Sequence, residues 1–117
     1  MQSIAFAVHL SPDQTRTTVG ALASCWRGPR RESFRDARRR AGIVREAVWL
    51  QSAPGGALAI VYLEADDLDA AFAMWARSAE PFDSWFRAHA HHVHGNAWDD
   101  AFRAPELVLD FDTGRTD

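Results

Sequence analysis

Residues 43–64 read IVREAVWLQSAPGGALAIVYLE, and the fold turns on them. From Ile43 to Gln51 the chain is rich in β-branched and aromatic residues, with Val44, Glu46, Val48 and Leu50 alternating against Arg45, Ala47, Trp49 and Gln51. A period of two is that of a strand, whose successive side chains point to opposite faces. Pro54-Gly55-Gly56 supplies a turn, and Leu58 to Glu64 returns as a further strand. The segment predicts an antiparallel hairpin.

Working outward to the N-terminus, Ser3 to Leu10 alternates Ile4, Phe6, Val8 and Leu10 with Ser3, Ala5, Ala7 and His9, and is predicted as the first strand. Ser11, Pro12 and Gln14 then combine a hydroxyl cap, a proline at the first helical position and a capping-box partner, which predicts a helix start. Val19, Leu22, Ala23 and Trp26 form its expected inner stripe, up to the break at Gly28-Pro29. A second stripe, Phe34, Ala37, Arg38 and Ala41, runs to Gly42. On the C-terminal side of the hairpin, Asp66, Asp67 and Asp69 suit the positive end of a helix dipole, and Leu68, Ala71, Phe72, Trp75, Ala76 and Ala79 supply a buried face. Pro81 starts another helix, with Phe82, Phe86, His89 and Val93 as its stripe and Gly95 as its stop. After a connection containing Trp98, Leu107, Leu109 and Phe111 alternate with Val108, Asp110 and Asp112, which predicts a last strand.

The order is β-α-β-β-α-β, each α being a broken helical pair, the ferredoxin-like plan of an α+β fold. It predicts a four-stranded antiparallel sheet with right-handed crossovers that put the helices on one face. The 117 residues suit one domain, 1–117, and the chain shows no repeat or low-complexity tract. A single cysteine, Cys25, excludes an internal disulfide scaffold and is expected to be an inert thiol. No run approaches the ~20 apolar residues of a membrane span, and Met1 to Leu10 does not resemble a signal peptide, so a soluble, cytoplasmic protein is expected.

Net charge is -3, but its distribution is uneven, because eight arginines crowd positions 27–45 against Glu32 and Asp36 only. That segment is read as a solvated helix, with anion steering as the alternative. It lacks the interleaved aromatics and the module signatures of nucleic-acid binding.

The sheet face away from the helices carries Ala5, Ala7, His9, Arg45, Ala47, Trp49, Gln51, Ile60, Tyr62 and Glu64, while Ile4, Phe6, Val8, Val44, Val48, Leu50, Val61 and Leu63 are assigned beneath the helices. Small residues beside aromatics and a few hydrogen-bonding groups are the composition of a ligand pocket, and too apolar for a solvated face. Two copies are therefore expected to pack these faces together as a homodimer enclosing small-molecule cavities. The segments AFAVHL, REAVWLQ and AIVYLEADDL, together with PFDSWFRAHAHHVHG, resemble an uncharacterised family of small proteins in the dimeric α+β-barrel superfamily. The resemblance spans nearly the whole chain and implies the barrel fold. The superfamily includes cofactor-free monooxygenases, lactone isomerases, sugar mutarotases, haem-dependent enzymes and ligand-sensing domains, so the fold alone does not choose a function.

His9, near the predicted positions of Tyr62 and Glu64, is the candidate acid/base with those two as partners, for proton transfer on an enolisable ring or sugar. A histidine held by one structural hydrogen bond is the alternative. Trp49, Gln51 and Arg45 form the expected ligand wall. His89, His91, His92 and His94 do not converge on one helix face, so no metal site is assigned, and His89 is placed in the core stripe. Glycine-rich phosphate loops, paired-cysteine metal spacings and a serine elbow are absent from the sequence, so no cofactor is assigned. The functional expectation is a small-molecule-binding homodimer, either a cofactor-independent isomerase, cyclase or monooxygenase, or a non-catalytic sensing or interaction module.

Overall fold

The computed structural model describes residues 1–94 and 105–114, and for 92–94 the backbone alone. The elements run β1 (Gln2–Leu10), α1 (Pro12–Trp26), α2 (Arg31–Ala41), β2 (Ile43–Ala53), β3 (Gly56–Ala65), α3 (Leu68–Arg77) and α4 (Pro81–His94). Among the described residues they form one antiparallel sheet in the order β1-β3-β2. Since β1 and β2 both oppose β3, they are parallel to each other and must be joined by a crossover, which α1 and α2 provide. Residues of all four helices share one cavity with Phe6, Val8, Val48, Ala59, Val61 and Leu63, so the helices cover one face of the sheet. This α+β arrangement is compatible with the ferredoxin-like plan.

Local chemistry sets the boundaries. Ser11 caps α1 through its hydroxyl, which accepts from Gln14 N, while Gln14 Oε1 accepts from Ser11 N, the reciprocal capping box expected there. Asp67 caps α3 by accepting from Ala70 N at 3.0 Å. Gly42 ends α2 in the left-handed region at φ 82°, which a side chain disfavours. In the hairpin turn, Gly56 has φ 147° and lies so close to β1 that a Cβ there would sit 1.9 Å from Leu10 O. Arg87 of α4 donates to Trp75 O at 2.6 Å and Ser78 O at 2.7 Å, joining α4 to the open carbonyl end of α3.

Three expectations are corrected. The first concerns Val44, placed under the helices by alternation. A register shift pairs Ile43 with Ala65 and Arg45 with Glu64, leaving Val44 as the extra residue of a bulge and 61% exposed. Ile43 takes the inward place. The second is the inner stripe of α1, which is Thr18, Leu22 and Cys25 rather than Val19, Leu22 and Trp26. Cys25 packs against Ala37 and Phe82, a contact between neighbouring helices that suits a small side chain, while Trp26 turns outward beneath Arg27.

The third is the four-stranded sheet. Leu107, Val108, Leu109 and Phe111 are 76–85% exposed and belong to no strand. Alternation gives a segment the capacity to pair, but a strand exists only where its backbone meets a sheet edge. Trp98 and Gly95 lie outside the described residues, as do the side chains of His92, Val93 and His94.

Candidate functional site

On the uncovered side of the sheet, register places the side chains in rows. Ser3, Glu64 and Arg45 share one row, Ala5, Tyr62 and Ala47 the next, then Ala7, Ile60 and Trp49, and last His9, Leu58 and Gln51. The face therefore has the membership read from the sequence, with Ser3 and Leu58 added. His9 and Tyr62 are not brought together. His9 stands opposite Leu58, four residues along β3 from Tyr62, a separation of about 13 Å along a strand. Its Nε2 donates to Pro54 O at 3.1 Å, so its bond fastens the hairpin turn to β1.

At the far end of the face, Tyr62 Oη donates to Glu64 Oε1 at 2.6 Å, and the Arg45 guanidinium lies 6.0 Å from the Tyr62 ring centroid. That hydrogen bond, to an acceptor that favours the protonated phenol, raises the Tyr62 pKa above its ordinary value, with desolvation adding to it. Near neutral pH Tyr62 is thus a neutral donor and not a phenolate base. Trp49, 54% exposed, lies between the two ends with Gln51 one row beyond. The candidate residues form a turn clamp at one end and an Arg45-Tyr62-Glu64 group at the other.

A concave feature among the described residues is on the opposite side of the sheet. Between sheet and helices lies a cavity of about 130 Å³ whose wall is mostly apolar, including Phe6, Val61, Leu63, Leu22, Phe72 and Phe86. Protein interiors seldom leave voids larger than a water molecule, because unmade dispersion contacts are lost outright.

Polar groups are few in this wall, and their placement is specific. Arg38 Nε donates to Glu46 Oε1 at 2.6 Å, with the two side chains 12% and 13% exposed. The Arg38 guanidinium also lies 4.7 Å from the ring centroids of both Phe34 and Phe86, a cation held between two aromatic faces. Thr18 Oγ1 and Trp75 Nε1 are buried with no hydrogen-bond partner among the described residues, and both residues line the cavity. An unmet buried polar atom ordinarily costs 1–3 kcal/mol by mutational estimates, on the order of one hydrogen bond's desolvation. His89 completes this wall, its ring parallel to Trp85 at 6.1 Å and edge-on to Phe86.

The placement of His89 in the inner stripe of α4 is as expected, whereas His91 is exposed. No group of three or more His, Cys, Asp or Glu among the described residues could hold a metal ion. The arginine-rich segment is largely engaged locally: Arg30 stacks on Trp85 at 3.9 Å, Arg39 pairs with Asp36 at 3.6 Å, and Arg40 reaches the buried Asp83 at 3.7 Å. Sequence reasoning missed the cavity because its wall is made of residues that read as core. A signal was present nonetheless, since Arg38 stands in an apolar helical stripe and Glu46 in the inward row of β2, the only charged residues at those positions.

No protein-family model matches the chain, and no curated protein or solved structure does.

Proposed function

We propose that this protein binds a small, mostly apolar organic molecule in the cavity between its helices and its sheet. The observation that carries this reading is one wall combining a largely apolar lining, a sequestered Arg38-Glu46 pair and two unmet polar atoms. Recognition sites are built this way, with a few oriented polar groups in an apolar enclosure. Glu46 is engaged by Arg38, which suits it to holding that arginine in place more than to abstracting a proton, and this favours binding over turnover. A sensing or storage role follows more directly from the geometry than an isomerase, cyclase or monooxygenase.

The uncovered sheet face is proposed as the surface on which two copies pair, in keeping with the resemblance to dimeric α+β barrels. Trp49, Leu58, Ile60 and Tyr62 over Ala5, Ala7 and Ala47 give it the apolar character of an interface core. On this reading Trp49, Gln51 and Arg45 contact the second copy. No helix among the described residues is long and apolar enough to cross a membrane, and a cytoplasmic location is part of the proposal.

The test is native mass spectrometry and organic extraction of the purified full-length chain, followed by titration of whatever small molecule is recovered. Leu22→Trp, which fills the cavity from α1, should abolish uptake while circular dichroism stays native. Unchanged uptake by a folded Leu22→Trp protein would place the ligand elsewhere.

A further inference from the structure

The hydrogen-bonding capacity left over in the cavity wall is mostly of one sense. Trp75 Nε1 can only donate, and it is buried without a partner among the described residues. Arg38 can only donate as well. Its Nε is used by Glu46, and its two terminal nitrogens, on a side chain that lines the cavity, remain as donors that a ligand can meet in place of water. Thr18 Oγ1 can act either way, and Thr18 is 6% exposed. Donors without acceptors ask for a ligand that brings an acceptor.

Charge narrows the class further. Arg38 and Glu46 already compensate each other at 2.6 Å in a largely desolvated setting. An anionic ligand would put two negative charges against one positive charge beside a pair only 12% and 13% exposed, where screening by water is weakened, and a cationic ligand would face Arg38 itself. Buried ion pairs of this kind are poor stabilisers compared with apolar replacements, so stability alone gives little reason for one to line a cavity. The aromatic side chains of Phe6, Phe72, Trp75 and Phe86 in the wall favour a flat molecule. The volume of about 130 Å³ is that of a single ring, given that cavities of ~150 Å³ take up benzene.

We infer that the ligand is an uncharged single-ring molecule carrying a carbonyl or comparable acceptor oxygen, taken up by Arg38 and Trp75 with Thr18 beside them. This rests on the cavity being the binding site. Glu46 is then a positioning residue, which fixes Arg38 through Nε and leaves the terminal nitrogens for the ligand.

Three probes of equal non-hydrogen atom count and similar shape separate the terms: acetophenone is neutral with an acceptor, cumene is neutral without one, and benzoate carries a charge. Titrated into the full-length chain by NMR and calorimetry, acetophenone should bind about tenfold tighter than either of the others, as expected for one charge-assisted hydrogen bond. The paired variant Arg38→Met with Glu46→Leu removes the ion pair without stranding a charge, and should remove most of the acetophenone preference, leaving the share due to Trp75 and Thr18, while cumene still binds. Thr18→Val, a near-isosteric change less demanding on folding, should reduce that preference in part.

Equal affinity for acetophenone and cumene would overturn the acceptor inference and leave the cavity reading standing. Tighter binding of benzoate would overturn the neutral class in favour of an anion site. Failure of all three to bind a folded protein would overturn the cavity reading itself.

Discussion

Tyr62 is the single tyrosine of the chain, so its ionisation can be followed directly by phenolate absorbance. Because the hydrogen bond to Glu64 raises its pKa in the folded state, the midpoint should lie above the ordinary value of ~10. The Glu64→Gln variant should bring it down. The contribution to stability is fully present below the unfolded pKa and is lost as pH rises through the folded one. Tyr62→Phe lacks this contribution at neutral pH, so it should be the less stable protein there, and its stability should fall less steeply as pH rises past ~10. Arg38 and Glu46 allow a second test at this scale. Arg38→Leu alone leaves Glu46 buried and unpaired and should cost about 3–5 kcal/mol, whereas the paired Arg38→Leu, Glu46→Leu protein should lie near the parent in urea denaturation. Cys25 is buried, and burial pushes its thiol pKa up, so it should react with a disulfide reagent only on unfolding.

Among the elements, α1 and the hairpin show how local chemistry and close packing divide the work. Ser11→Ala removes one half of the capping box, and a loss of about 1 kcal/mol with an intact fold is expected from thermal unfolding. Gly56→Ala should be far more severe, because a methyl group there meets the Leu10 carbonyl oxygen at 1.9 Å and the backbone of β1 must move. That variant should fold poorly or lose hydrogen-exchange protection across the β1-β3 pairing. The helix starts at Ser11 and Asp67, the stop at Gly42 and the Pro54-Gly56 turn were all legible in the sequence, since each depends on residues within a few positions. The rotation of α1 was not legible. Trp26 outranks Cys25 in hydrophobicity, yet Cys25 is the residue that fits against Ala37 and Phe82.

For the whole molecule, the uncovered sheet face carries the proposal of pairing. Sedimentation should show a dimer that Trp49→Glu converts to a monomer, because a carboxylate replacing the central aromatic would be buried without a counter-charge. The thermal midpoint of the parent should rise with protein concentration, and that of the variant should not. Most of the face membership followed from alternation; the departures are Val44, where the bulge reverses parity, Leu50, which is 43% exposed instead of lying beneath the helices, and Ser3 and Leu58, which join the uncovered face. The row positions along the face were not available, since they depend on which residue of β1 stands opposite which of β3. That register separates His9 from Tyr62.

The sequence alone determined the caps at Ser11 and Gly42, the hairpin turn, the apolar side of β1, β2 and β3 apart from Val44, and that a crossover must put the helices to one side. These are short-range consequences of caps, turns and periodicity. Only the tertiary structure decided that His9 serves the hairpin turn, that residues 107–111 stand outside the sheet, and that Arg38 of α2 meets Glu46 of β2 in the wall of a cavity. The physical reason is that periodicity records whether a side chain points inward, but not whether its neighbours fill the space it points into. Filling depends on volumes contributed by residues far apart in the chain, and it is there that the candidate site arises.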